Sequence, residues 1–204
     1  MIHLKKILNI KKIINSIFSS CTYIIHSELS NCCSIIDCGD INPICEYVYE
    51  NSLKVDNVFL THTHFDHIYG INELYDRFPK ITVYTAEYGK EALYSDKKNL
   101  SKYYEQSIIF KGKTVEILNE GNSVKLFNNT FLTAYETPGH CSSSLVYVLE
   151  EIIFTGDAFI PGKKVVTNLP KGDKMLANSS IEKIKILAMG KRIMAGHSVN
   201  MNSR

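Results

Sequence analysis

No stretch of this sequence is apolar for long enough to cross a bilayer, which takes roughly 20 predominantly apolar residues. Residues 1–21 mix lysines with Ile7, Leu8, Ile10, Ile13, Ile14, Ile17 and Phe18, but Lys11, Lys12 and Asn15 break the run before Cys21. That makes a poor secretion signal. The segment reads as a first strand or helix of the domain, with a lipid-modified Cys21 as the alternative. An excess of basic charge is missing too: 23 Lys and Arg against 21 Asp and Glu leave a formal charge of +2, so nucleic acid is not the expected partner. The six cysteines, Cys21, Cys32, Cys33, Cys38, Cys45 and Cys141, form no C-x-x-C pair and no structural-zinc spacing. They read as free thiols of a reducing cytoplasm, mostly small buried hydrophobes, with Cys141 set apart because it adjoins a candidate ligand. No period of about 20–50 residues recurs and no low-complexity run divides the chain, which excludes a solenoid and leaves no linker. What remains, at 204 residues with 45% hydrophobic and 22% charged side chains, fits one globular domain over 1–204.

Short runs of β-branched and aromatic residues predict strands at 21–26, 32–37, 55–60, 81–84, 114–118, 130–136, 145–149 and 152–155, with Glu150-Glu151 as a hairpin turn between the last two. Helical spacing appears at 44–51, where Pro43 suits a first turn, and at 71–78, 86–94 and 180–188. The alternation predicts a mixed α/β domain. Metal-competent side chains follow the predicted strands: His62 after Leu60, His140 after Glu136, Asp157 after Thr155 and His197 after Met194. Loops past strand ends are where such folds place their chemistry.

His62-Thr63-His64-Phe65-Asp66-His67 packs four candidate ligands into six residues. In extended chain, residues two apart share a face, so His62 and His64 can grip one ion while Asp66 and His67, past a bend, point elsewhere. A motif that divides its ligands in this way suits two adjacent ions better than one. The other candidates sit in glycine-marked contexts, Pro138-Gly139-His140, Gly156-Asp157 and Gly196-His197, where glycine permits tight bends. Of seven histidines, only His3 and His26 lack such a setting.

The order His-x-His-x-Asp-His, a later His, an Asp and a final His resembles the metallo-β-lactamase superfamily at all seven positions. The resemblance runs from about Ser20 through His197 and includes Ile36-Asp37-Cys38-Gly39, similar to the family's strand-end aspartate motif. It implies an αββα sandwich, two mixed β-sheets flanked by helices, with the site on one edge. It also implies that His62, His64 and His140 hold one divalent ion, that Asp66, His67 and His197 hold the other, that Asp157 bridges them, and that Asp37 supports the ligands from behind. The implied reaction is hydrolysis of an ester, thioester or lactone by a hydroxide held between the ions, with Asp66 steering the nucleophile as the catalytic carboxylate. Zinc is the first expectation, with iron or manganese also suited to nitrogen and oxygen ligands.

Within the superfamily the chain resembles small glyoxalase II-like thioester hydrolases, through Thr137-Pro138-Gly139-His140, Gly156-Asp157-Ala158 and the loop Thr167-Asn168-Leu169-Pro170-Lys171-Gly172-Asp173. An aspartate at 157 points away from antibiotic hydrolysis. The chain ends seven residues after His197, so the helical glutathione-binding domain of two-domain glyoxalase II is not expected, and a smaller acyl thioester or ester is the expected partner. Lys163, Lys164, Lys171 and Lys174 are candidates to receive a substrate carboxylate, with a solvated loop face as the plainer reading. Tyr88, Tyr103 and Tyr104 are candidates for a pocket wall, and Cys141 for a substrate contact. Two rival classes stand beside the hydrolase. One is an iron-dependent persulfide dioxygenase using His62, His140 and Asp157; the other is a non-catalytic metal-binding scaffold.

Overall fold

The computed structural model describes residues 8–198, so His3 lies outside the described residues. The lysine-interrupted opening segment forms an edge strand, Leu8–Ile14 (β1), paired antiparallel along its whole length with Cys21–Ser27 (β2). Cys21 is fully buried at the start of β2. That is a core position, contrary to the lipid-anchor alternative. From β2 the chain adds Cys32–Ile36 (β3), the helix Ile41–Glu50 (α1), Lys54–Phe59 (β4), the helix Ile71–Arg77 (α2), Thr82–Thr85 (β5), the helix Glu87–Leu93 (α3) and Val115–Ile117 (β6). The six strands lie side by side in sequence order, antiparallel from β1 to β3 and parallel from β3 to β6.

A second sheet follows: Ser123–Phe127 (β7), Thr130–Glu136 (β8), Leu145–Leu149 (β9), Ile152–Gly156 (β10), the helix Lys174–Leu187 (α4) and Arg192–Ala195 (β11). Its order is β11-β10-β9-β8-β7, with only β10 and β11 parallel. The period-two alternation of the strands then decides the layers. Tyr23, Ile25, Ile36 and Phe59 of the first sheet pack between the sheets against Leu132, Ala134, Tyr147 and Phe154 of the second. Their neighbours Ile24, Ile35 and Val58 turn the other way, onto Ile44 and Val48 of α1 and Ile71 and Leu74 of α2. Val146 and Ile153 meet Ile184 of α4 on the far face. The result is the expected αββα sandwich, and each fully buried aliphatic or aromatic side chain contributes about 1.5–3 kcal/mol.

β7 and the first turns of α4 were not visible as periodicity. β7 is mostly exposed in its first three residues, so it lacks the alternation of a half-buried strand. α4 begins at Lys174 rather than near Ser180 because Asp173 caps it, accepting from the backbone N–H groups of Met175 (2.8 Å) and Leu176 (2.9 Å). Met175 and Leu176 face solvent there, which hides the first turns from a search for an apolar stripe.

Candidate metal centre

The two sheets are stitched together at the edge where β4 ends. Leu145 N–H donates to the Thr61 carbonyl at 2.7 Å and Tyr147 Oη–H to the Leu60 carbonyl at 2.7 Å. This brings the loop after β4, with His62 and His64, beside the ends of β8 and β10, which carry His140 and Asp157. Asp66 and His67 lie in the single 3-10 turn Phe65–His67. His197 follows β11 and is drawn in by a bridge to Ser20, with Cys21 N–H donating to the Gly196 carbonyl at 2.7 Å. Two of these corners show why glycine is needed. Gly156 has φ +49°, and a Cβ there would run into Thr61; a Cβ on Gly196 would occupy the place of the Asp157 carboxylate.

All seven sequence-derived candidates meet. The ligand atoms of His62, His64 and His140 lie within 4.8 Å of one another, as do those of His62, His67 and Asp157 and those of Asp66, His67 and His197. His140 Nε2 is 3.0 Å from His64 Nδ1 and His67 Nε2 is 3.2 Å from His197 Nε2. Asp157 stands between the groups: Oδ1 is 3.5 Å from His67, while Oδ2 is 3.7 Å from His140 and 3.2 Å from His197. Asp66 Oδ2 is 3.3 Å from His197 Nε2 and 3.5 Å from His67 Nε2.

The hydrogen bonds behind the rings fix their tautomers. His67 Nδ1–H donates to Asp37 Oδ2 (2.9 Å), His140 Nδ1–H to the Val166 carbonyl (2.9 Å) and His197 Nδ1–H to the Phe18 carbonyl (2.9 Å). Thr61 Oγ1–H donates to Asp37 Oδ2 at 2.7 Å, which leaves its oxygen to accept from His62 Nδ1–H at 3.2 Å. Each of these four imidazoles therefore turns an Nε2 lone pair inward. Lone pairs facing one another at 3.0 and 3.2 Å require a proton or a cation between them. Two imidazoles on a tetrahedral cation, each about 2.0–2.1 Å from it, stand about 3.3 Å apart, close to these separations. Of the buried side-chain atoms without a hydrogen-bond partner among the described residues, two belong to the cage, His62 Nε2 and Asp157 Oδ1. The donor set fits a pair of cations.

Charge is divided unevenly. Burial pushes the His62 imidazole far below its ordinary range, assisted by the neighbouring histidines, and brings His64 down to about 3. Burial likewise lowers His140, against the pull of Asp157. Burial would depress His67 as well, but Asp66, Asp157 and Asp37 outweigh it and raise it to about 9. At His197 burial is again overcome, here by Asp157 and Asp66, and the imidazole rises to about 11. Burial opposes ionisation of Asp66, yet His67 and His197 hold its carboxyl below the usual carboxylate range.

Asp37 is the support that its motif implied: it accepts from Thr61 N–H and Thr61 Oγ1–H, each at 2.7 Å, besides His67. Its φ of +56° is unusual for a non-glycine residue and aims the carboxylate behind the cage. Thr61 itself was missed, although it sits beside His62 and links Asp37 to that ring. His26 is the ordinary structural histidine it looked, with Nε2 2.9 Å from Tyr47 Oη.

Above the cage opens a cleft of about 520 Å³ whose floor includes His64, Asp66, His140, Asp157 and His197. Phe18 and Phe65 form one side, Leu100 and Tyr103 another, and Val166, Leu169 and Pro170 the third. For the lysine loop the plainer reading, a solvated face, holds, and the carboxylate-receiving role does not. The loop turns Val166, Leu169 and Pro170 to the cleft, while Lys163, Lys164, Lys171 and Lys174 do not line it, and Lys171 Nζ lies 5.8 Å from the Tyr88 ring centroid. Of the three tyrosines, Tyr103 lines the cleft, Tyr104 stacks on Phe65 at 4.5 Å, and Tyr88 lines a separate acidic hollow with Glu87 and Glu91. Cys141 is buried with its Sγ 3.2 Å from Ser143 Oγ and does not line the cleft, so the expected substrate contact is not made.

The comparisons agree with this geometry. The family model described as the metallo-beta-lactamase superfamily matches residues 18–197. The chain belongs to the metallo-β-lactamase superfamily. Among curated relatives of this superfamily member, a hydroxyacylglutathione hydrolase of Pectobacterium carotovorum subsp. carotovorum (strain PC1) is 26% identical over 181 residues, which are 87% of this chain and 61% of the relative. The chain thus spans about three fifths of that protein's length. A solved structure of the BLEG-1 B3 metallo-beta-lactamase is 25% identical with a TM-score of 0.83, covering 94% of this chain and 92% of its own. ETHE1 from Myxococcus xanthus shares the fold, with a TM-score of 0.75 at 22% identity, covering 96% of this chain and 78% of its own. No helix among the described residues is long and apolar enough to cross a membrane.

Proposed function

We propose that the protein hydrolyses an ester or thioester, using two divalent cations, zinc first among them, held by His62, His64, Asp66, His67, His140, Asp157 and His197. The observation that carries this is the convergence of seven side chains, two of them with a buried ligand atom that has no hydrogen bond, in a cage whose His64, Asp66, His140, Asp157 and His197 floor an open cleft. His62, His64 and His140 would hold one cation and Asp66, His67 and His197 the other. Asp157 would serve both, since its carboxylate reaches His140 of one group and His67 and His197 of the other. A bound pair supplies Lewis acidity toward a carbonyl oxygen and makes water acidic near neutral pH.

The chain's own groups do the rest. Asp66 lines the cleft and its carboxyl stays ionised, so besides facing His67 and His197 through Oδ2 it would orient a water at the floor. The apolar walls exclude bulk water and strengthen electrostatic interactions at the floor. Asp37, Thr61 and the carbonyls of Val166 and Phe18 hold the imidazoles in one tautomer through repeated turnovers. The name of the curated relative supports the thioester arm of this reading. A small acyl thioester or ester as partner, without nucleic acid or membrane, in the cytoplasm, completes it.

Elemental analysis beside a substrate panel tests the proposal. About two metals per chain should accompany turnover of a thioester, ester or lactone. The panel includes a β-lactam, because of the structural likeness to a B3 enzyme, and glutathione persulfide with oxygen monitored. One iron per chain with oxygen consumed on the persulfide would replace the hydrolase by the dioxygenase built on His62, His140 and Asp157. A full metal complement with no turnover would leave the scaffold.

A further inference from the structure

The polar side chains lining the cleft, apart from the Tyr103 hydroxyl, all belong to the cage on its floor, and no lysine or arginine lines it among the described residues. The walls hold large apolar groups open to solvent: Phe18 is 62% exposed, Tyr103 68% and Val166 47%. Two of the apolar wall residues are kept in the left-handed region, Phe18 at φ +53° and Leu100 at φ +68°. Glycine or asparagine would adopt that backbone at lower cost. A bulky apolar side chain at such a position is explained by what it faces, and what Phe18 and Leu100 face is the cleft. The Phe18 turn is also anchored to the floor, because its carbonyl accepts from His197 Nδ1–H. The wall thus begins where the reactive carbonyl would lie.

We infer that these walls bind an apolar chain attached to the scissile carbonyl, so that the substrate is an uncharged aliphatic or aryl ester or thioester and not a glutathione conjugate. This rests on the hydrolase reading above. A glutathione conjugate brings two carboxylates and an ammonium, and among the described residues the walls offer these charges no partner to offset their desolvation. A chain of several methylenes replaces water against Phe18, Tyr103, Val166 and Leu169. Each methylene so buried improves binding about fourfold. The chain belongs either to the acyl group or to the departing alcohol or thiol, and both present the same chemistry to the wall.

Two readouts separate the possibilities. The first needs no turnover: butanamide, hexanamide and octanamide are titrated into the metal-loaded and the chelated protein and followed by calorimetry. Affinity should rise about fourfold per methylene, and Phe18→Asn, which suits the left-handed turn, and Tyr103→Ser should each flatten the series. Val166→Ser gives the same comparison should either variant fail to fold. The second is kcat/KM for N-acetylcysteamine thioesters of two, four, six and eight carbons, beside acetyl esters of alcohols of the same lengths. The steeper series identifies which side of the carbonyl lies on the wall, and a glutathione thioester should gain nothing over the N-acetylcysteamine thioester of the same acid. Flat binding and flat rates with brisk turnover of short esters, or a marked preference for the glutathione conjugate, overturn the inference and leave the hydrolase standing. No turnover of any carbonyl compound by fully loaded protein removes the hydrolase reading, and this substrate assignment with it.

Discussion

The floor and the walls of the cleft are built on different principles. On the floor, all seven candidate ligands are mostly or wholly buried, and four of the five imidazoles are locked by a hydrogen bond on the ring nitrogen facing away from the cage. The apolar wall side chains have no such hydrogen bonds, although the backbone carbonyls of Phe18 and Val166 each accept from a floor imidazole. The walls are apolar side chains on the β1–β2 turn and on the loops around 100–103 and 166–170, many of them exposed. The floor depends on the identity of particular atoms, and the walls only on shape and hydrophobicity. A floor residue should therefore tolerate no substitute, whereas a wall residue should trade one preference for another.

The sharpest way to break the contrast is to remove a ligand shared between the halves. Asp157→Ala should lose metal and lower kcat/KM by on the order of 10³-fold or more, several kcal/mol of transition-state stabilisation. Elemental analysis and steady-state kinetics read the two effects together, and activity that survives would place the chemistry elsewhere. Next in size is Asp37→Asn. The amide can still accept from His67 but loses the charge and one of its acceptors, and groups behind metal ligands are typically worth about 10–100-fold in affinity or activity. A drop in metal affinity should therefore precede any change in the preferred substrate.

The floor also differs within itself, and pH exposes that. His62, His64 and His140 have depressed pKa values, so their lone pairs are free at neutral pH, while His67 at about 9 and His197 at about 11 hold protons that a cation must displace. Loading near pH 7.5 should release about two protons, chiefly from the aspartate-bearing half, measurable by calorimetry in buffers of different ionisation enthalpy. As pH falls, that half should shed its ion first, and activity should fall below about pH 6 with that loss, while His62, His64 and His140, whose pKa values are depressed, keep their lone pairs free to lower pH. The sign reverses for folding of chelated protein. His67 and His197 are raised above their unfolded values, so the stability they contribute is complete below about pH 6.5 and is lost as pH rises through about 9 and then about 11. Thermal melts of chelated protein across that range should show the decline, and loaded protein should resist it. Loss of both protons and ions in the same order from the two halves would mean that the division is not real.

The same contrast explains how much could be read before the fold was known. The ligand motif and the strand ends that carry it were legible because each is written locally, in β-branched and aromatic runs and in glycine beside His140, Asp157 and His197, whereas the αββα layering came only through the resemblance that the motif carries. Thr61 escaped because a hydroxyl bridging a ring and a carboxylate has no local signature. The walls escaped because Phe18, Leu100 and Val166 come from three distant segments and share nothing but their destination. The lysines of the 163–174 loop left two readings open for a related reason: composition cannot say which side of a loop faces the site, and Val166, Leu169 and Pro170 took the inner one.

The smallest effect belongs to Cys141, which stands next to a floor ligand yet belongs to neither region. Its thiol is 1% exposed, and burial raises its pKa, so little thiolate is available to peroxide. It is nevertheless one contact removed from the ligand loop, since Sγ lies 3.2 Å from Ser143 Oγ, which lies 3.2 Å from Thr63 Oγ1 between His62 and His64. If adjacency mattered, removing the thiol would loosen that link and change the cage. If burial decides, Cys141→Ala should keep kcat/KM within about twofold and the same inactivation rate by peroxide, with at most about 1 kcal/mol of stability lost to the small cavity. Inactivation kinetics of the two proteins, matched for metal content, decide between these. A variant that resisted peroxide would show that the Ser143–Thr63 contact carries oxidation at a buried sulfur into the floor.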